Sequence, residues 1–208
     1  GWQRVQTNKQ IEGRGRKESK WISDERDLLA TWNINKSILS DLNPGIVQII
    51  IGTKIADLLN QYCKWPNDII DNNGQKIGGV LIEMDNQKEY LRIGVGLNYS
   101  SKEIESMEIK GWNDKFPDIT KKDMSKMIDA VLSTLFENHE LLENNLSADK
   151  INRDSWRGLS KLLSRGYSLE LDGEKTRVIG LNDEGGLSVL LEGEKSEIQS
   201  IEKLTWLF

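Results

Sequence analysis

Lys64-Trp65-Pro66-Asn67-Asp68, followed by Lys76-Ile77-Gly78-Gly79-Val80-Leu81-Ile82-Glu83 and Gly94-Val95-Gly96-Leu97-Asn98, is the stretch on which the fold turns. Pro66 biases Trp65 away from helix, and Asn67-Asp68 favours a turn. Lys64 is thereby presented at the end of an extended element, as a compact positive charge on a stiff support. Asn72-Asn73-Gly74-Gln75 sits between segments 68–71 and 76–84, and Asn-Gly is a strong hairpin signal. A polar turn at 85–88 leads to a strand over 89–98. Gly78, Gly79, Gly94 and Gly96 lighten two neighbouring strands so that a backbone or a ligand can come close. Singly, such glycines mark a bulge or tight strand packing as readily. Side by side they make a slot for a flat ligand.

Upstream, Asn43-Pro44-Gly45 opens a helix predicted to run to about Tyr62. Val47, Ile50, Ile51, Ile55, Leu58, Leu59 and Tyr62 fall on its buried face, and Gln48, Lys54, Asp57 and Gln61 on a solvated one. The β-branched run 46–51 would also suit a strand. Residues 2–6 read as a short strand, 7–20 as a polar Gly/Arg loop, and 21–32 as a strand centred on Leu28 and Leu29. Downstream, helical periodicity covers 121–144, and a second helix is predicted over 149–163. From Tyr167 the pattern changes to about five short strands broken by Asp172-Gly173, Asp183-Glu184-Gly185-Gly186 and Glu192-Gly193. The fold expected is α+β, with a mixed sheet backed by helices over 1–160 and a small β module over 161–208.

The 208 residues suit one large domain and a small one. A net charge of −5 argues against a nucleic-acid partner, which needs a basic surface. The positive charge that matters is local, at 14–20, and favours a small anionic ligand. Cys63 is the one cysteine, so no internal disulfide forms and a reducing compartment is expected. The longest apolar run, 46–51, is too short to span a bilayer, and no charged-then-apolar leader opens the chain. A cytoplasmic protein without membrane contact is expected. His139, the single histidine, reads as a solvated helix position, so neither a zinc cluster nor a Ser-His-Asp or Cys-His pair can be assembled. No metal site is expected. Lys102-Glu103 and Lys121-Lys122 read as solvated faces.

Gly13-Arg14-Gly15-Arg16 supplies backbone donors and guanidinium forks suited to carboxylate and phosphate oxygens. Trp21 could stack a base beside that anion site, or simply pack at the head of a strand. The Asn98 amide matches an adenine edge, or caps a strand end. Two separated cationic motifs describe a site that holds two anions against each other. An acid-activating, ATP-consuming ligase needs such a site.

In order and composition, Gln10 to Arg16 with Trp21, then 64–68, 76–83 and 94–98, resemble the biotin–protein ligases, and the β-rich tail resembles that family's small SH3-like C-terminal domain. The resemblance covers nearly the whole chain. It implies ATP and biotin as substrates with Mg²⁺, a biotin carboxyl carrier domain of a biotin-dependent carboxylase as protein partner, and room for a homodimer. It places Gln10 at the biotin head group and folds Arg14, Gly15 and Arg16 over biotin and phosphate. Trp21 would cover the adenine that Asn98 reads, and Lys76 would join the ATP site. Lys64 would bridge the biotin carboxylate and the α-phosphate, with Arg16 as its catalytic companion. Gly78, Gly79, Gly94 and Gly96 would line the biotin slot. Three departures stand out. Glu18 replaces a family glycine; Ser23-Asp24-Glu25-Arg26-Asp27 replaces a Ser-Pro-Gly turn; and the family's N-terminal Ser/Thr-Asn segment has no counterpart in the sequence. No helix-turn-helix motif is legible, so a repressor role is not expected. A lipoate or octanoate ligase of the same superfamily and a non-catalytic biotin-binding protein stand as the alternatives.

Overall fold

The structure is a computed structural model that describes residues 2–39, 43–84, 87, 89–104, 106–136, 158–164, 166–199 and 204–207. Its strands are built on alternation, one face apolar and the other small or polar. In chain order the first unit contains β1 (Gln3–Thr7), β2 (Leu28–Asn35), α1 (Pro44–Leu58), β3 (Tyr62–Lys64), β4 (Asp68–Ile70), β5 (Lys76–Met84), β6 (Tyr90–Leu97), β7 (Lys102–Ile104), β8 (Met107–Ile109) and α2 (Lys121–Phe136). The strands form one eight-stranded sheet in the order β1-β2-β6-β5-β4-β3, with the β7–β8 hairpin joined in parallel to β5 at Lys76. All other pairings are antiparallel, which makes the sheet mixed.

Both helices cover the apolar face. Asn43 caps α1, its side chain accepting from the Gly45 N–H at 2.8 Å, and Pro44 follows where a missing N–H costs nothing. The helix stops at Leu58 and Asn60 turns the chain at positive φ, so Tyr62 opens a strand and does not end a helix. The run 46–51 is helical in spite of its β-branching because it is buried nearly all round. Val47, Ile51 and Ile55 pack on the first sheet, while Ile49 packs with Leu169, Leu187 and Val189 of the second unit. Burial on both sides removes the expected solvated stripe at two positions. Gln61 is buried, and so is Gln48, whose Oε1 accepts from the Ile82 N–H at 3.0 Å. That bond satisfies an edge of β5 that β4 is too short to cover. α2 adds Met124, Ile128, Leu132 and Phe136 to the same core, and its Asp129 accepts from Trp32 Nε1 at 2.9 Å and pairs with Arg4. The rest of that predicted helix, most of the one after it, and His139 lie outside the described residues; 158–163 are helical.

The strand predicted over 21–32 begins only at Leu28. Asp27, fully buried, anchors its start by accepting from the Tyr99 N–H at 2.8 Å and from Lys102 Nζ at 2.6 Å. Asp24 takes the same ammonium at 2.9 Å. Lys102 is thus an ion-pair centre and not part of a solvated face. Burial opposes its charge, but the hydrogen bonds it donates to the two carboxylates outweigh that and raise its pKa. Lys121 is tied down likewise, donating to the Glu25 carbonyl at 2.9 Å.

The second unit is a five-stranded antiparallel sheet, order β12-β11-β10-β9-β13, made of β9 (Ser168–Leu171), β10 (Glu174–Leu181), β11 (Leu187–Leu191), β12 (Glu194–Ile198) and β13 (Leu204–Leu207). This is the small all-β module that the turn signals predict, and its antiparallel sheet is consistent with the SH3-like domain that the resemblance implies. Among the described residues no helix is long and apolar enough to cross a membrane.

Candidate active site

The light face of the first sheet is the floor of a cleft of about 740 Å³, within the roughly 300–1,000 Å³ usual for small-molecule sites. Three rows run across it: Leu29–Gly96–Gly79, Thr31–Gly94–Leu81 and Asn33–Arg92–Glu83. Gly79 and Gly94 leave open floor, since a Cβ on either would meet nothing closer than 3.4 Å. Between Ile69↔Gly78 and Ile70↔Lys76 the register slips by one residue. The bulge turns Lys76 onto the cleft face while Ile77 stays in the core.

Alternation along the two strands decides the fate of the four glycines. Gly79, Gly94 and Gly96 line the cleft; Gly78 is on the core side, where a Cβ would collide with Leu97 Cδ2 and come within 2.5 Å of the Gly96 carbonyl. Gly78 therefore permits strand packing and does not line the slot. Asn98 is also displaced from its expected place. It is 2% exposed, its Nδ2 donates to the Lys76 carbonyl at 3.3 Å, and it does not line the cleft.

One wall is the turn 64–68. Asp68 gathers its cations: Lys76 Nζ lies 2.7 Å from Oδ1 and Lys64 Nζ 3.8 Å from Oδ2. Asn67 locks the turn to β5 in both directions, its Nδ2 donating to the Val80 carbonyl at 2.9 Å and its carbonyl accepting from the Val80 N–H at 3.0 Å. Trp65, 3% exposed, points the other way and donates from Nε1 to the Gly185 carbonyl at 2.7 Å. The Trp65-Pro66 peptide is cis.

The opposite wall is a lid over 13–21. Trp21 N–H donates to the Gly13 carbonyl at 2.9 Å and Gly15 N–H to the Ser19 carbonyl at 2.6 Å, folding Arg14 against Lys20. Side chains at 13 or 15 would strike the Trp21 carbonyl or Ser19 Oγ, which explains both glycines. The Trp21 ring lies on Gly96, 2.7 Å from where a Cβ would stand, and Lys76 Nζ is 5.3 Å from its centroid. Arg16 turns inward. Burial lowers its pKa and the Asp68 charge only partly restores it, while Nη1 is buried with no partner among the described residues. A buried guanidinium donor without a partner calls for an anion. Gln10 lines the cleft beside Gly13. The side chain of Glu18 lies outside the described residues.

The cleft thus collects Gln10, Arg14, Gly15, Arg16, Trp21, Lys64, Lys76, Gly79, Gly94 and Gly96, and leaves out Gly78 and Asn98. Seven cationic side chains face three acidic ones in its lining, in a chain whose net charge is −5. Sequence reasoning missed Glu83 and Arg92, although period-two counting from Gly79 and Gly94 puts both on the cleft face. It also missed Leu204 and Trp206, which close the cleft from β13 and carry no motif.

Residues 4–100 match the model of the Biotin/lipoate A/B protein ligase family. The bifunctional ligase/repressor BirA of Bacillus spizizenii is 30% identical over 126 residues, 56% of this chain and 35% of that protein. The biotin–protein ligase of Homo sapiens is 32% identical over 106 residues, 45% of this chain and 15% of that protein. The chain therefore matches about a third or less of the length of these relatives. Among solved structures, the Aquifex aeolicus biotin protein ligase in complex with biotin and ATP superimposes with a TM-score of 0.71 over 98% of this chain and 88% of that one, at 22% identity. The matched residues 4–100 carry the floor, the lid and the lysine turn, so the cleft lies within the part of the chain that is similar to the biotin/lipoate A/B protein ligase family.

Proposed function

We propose that this chain activates biotin with ATP as biotinyl-5′-AMP and transfers the biotinyl group to a lysine of a biotin carboxyl carrier domain. The observation that carries this reading is the meeting of Lys64, Lys76 and Arg16 around Asp68 at one end of a glycine floor. A carboxylate oxygen attacks the α-phosphorus, the acyl–phosphate bond forms and pyrophosphate leaves. Two anions must meet for that, and fixed cations lower the barrier by holding the shared charge. Asp68 is their counter-ion until the substrates arrive. Lys64 then bridges carboxylate and α-phosphate; Lys76 and Arg16 take the remaining phosphate charge, and Trp21 covers the base. In the second step the acceptor amine attacks the acyl carbon, an amide forms, a proton is lost and AMP leaves. The lid excludes water from the anhydride meanwhile.

Magnesium would arrive with the triphosphate. Among the described residues no group of three or more His, Cys, Asp or Glu side chains is placed to hold a metal ion, so no step is routed through one. The test is mass spectrometry of a carrier domain incubated with the chain, ATP, magnesium and either biotin or lipoate. A mass gain on one lysine with biotin supports the reading. A gain only with lipoate moves the assignment to the sister activity. Biotin binding without pyrophosphate release reduces the chain to a binding protein.

A further inference from the structure

We infer that Glu83 is a positioning residue that fastens the lid to the floor of the cleft; only its consequence for turnover rests on the ligase reading. Two contacts between lid and floor stand out among the described residues. One is the packing of Trp21 on Gly96. The other lies four residues along β6, about 13 Å away at ~3.3 Å per residue. There Glu83 Oε1 is 3.6 Å from Arg14 Nη2 of the lid, and its Oε2 is 3.7 Å from Arg92 Nε of the floor. One carboxylate bridges two guanidiniums that would otherwise repel each other. The lid also carries Arg16, Lys17 and Lys20, so Glu83 turns a like-charge contact into an attractive one. All three bridging side chains are more than a third exposed, which keeps the bond weak. Weakness suits a lid that must open in every cycle.

Limited trypsin digestion of the full chain without ligands reads this directly, because Arg16, Lys17 and Lys20 are cleavage sites within the lid. Glu83→Gln is expected to be nicked there roughly two- to five-fold faster at low salt, the shift an exposed ion pair supports. Arg92→Gln, which leaves the Arg14–Glu83 pair, is expected to change the rate less. The difference should shrink as salt screens the pair. Nicking of Glu83→Gln at the parental rate would overturn the inference. So would parallel acceleration at sites outside the lid, which would mean general loosening of the fold. Neither outcome needs biotin or ATP, so both are independent of the ligase reading. With substrates present, Glu83→Gln is expected to release more adenylate into solution; faster nicking with unchanged retention would overturn the link to turnover.

Discussion

Lys64 and Arg16 both feel the Asp68 carboxylate, yet one stands on a turn pinned from three sides and the other on a hairpin pinned at its rim. The turn is held by the buried Trp65, by the two-way Asn67–Val80 bonds and by pairing of β3 with β4. Across its neck the lid carries two backbone bonds among the described residues, with the packing of Trp21 and the exposed Arg14–Glu83 pair beside them. The same type of charge is therefore fixed on one wall and adjustable on the other. On the proposed ligase reading, the fixed cation would align two reacting anions, and the adjustable one would admit substrates and then retain the intermediate.

The hardest way to break the fixed wall is Trp65→Ala. It removes a large buried ring and leaves the Gly185 carbonyl without its donor. Denaturant unfolding should show a loss of about 3–5 kcal/mol. A loss below ~1 kcal/mol would mean that the turn stands without its anchor.

Lys64→Ala should leave the fold intact and strike the chemistry. Removing one preorganised charge typically costs on the order of 100-fold or more in rate. The check is single-turnover synthesis of biotinyl-AMP beside calorimetric ATP titration, with the rate falling far more than the affinity. A near-parental rate would assign the bridging role elsewhere.

Gly96→Ala tests the adjustable wall, because the new methyl would stand 2.7 Å from the Trp21 ring. Overpacking of this kind costs about 1–3 kcal/mol, so ATP affinity should fall on the order of tenfold and Trp21 fluorescence should report a displaced ring. Gly94→Ala, whose nearest contact is 3.5 Å, should leave that fluorescence unchanged.

The smallest effect concerns the anchor behind the lid. Burial works against the Asp24 carboxylate, but Lys102 and the Arg26 amide outweigh it and hold its pKa below the usual range. A depressed carboxylate adds stability above its unfolded pKa and loses it as pH falls through the folded value. Thermal melts should therefore drop as pH falls below about 4, and Asp24→Asn should flatten part of that slope.

What the sequence made legible follows period and turn chemistry. The Asn-Gly hairpin, the capped start of α1 and the five short C-terminal strands all read locally, and all formed. What stayed hidden depended on partners far along the chain. Gln48 looked solvated because Ile82, from whose N–H its Oε1 accepts, is 34 residues away, and Lys102 because Asp24 and Asp27 are more than seventy away. Gly78 was legible by period alone, since neighbours on a strand face opposite ways and Gly79 lines the cleft; the placement of Lys76 was not. One extra residue at the β5 bulge reverses which face Lys76 joins, and a bulge leaves no mark in hydrophobic period. Leu204 and Trp206 reached the cleft only through tertiary docking.

Trp65 sits between Lys64 and the second sheet, and that adjacency limits how the molecule can be divided. The ring that shapes the lysine turn is buried among Leu169, Leu187 and Val189, and the turn of residues 182–186 lies against the start of α1. Deleting the last forty residues would not yield a smaller working unit. It would uncover one side of α1 and release the support under Lys64, so the C-terminal module is a keystone for the first unit and not a removable appendage. Transplanting it between relatives should succeed only when the contacts around Trp65 and Gly185 travel with it.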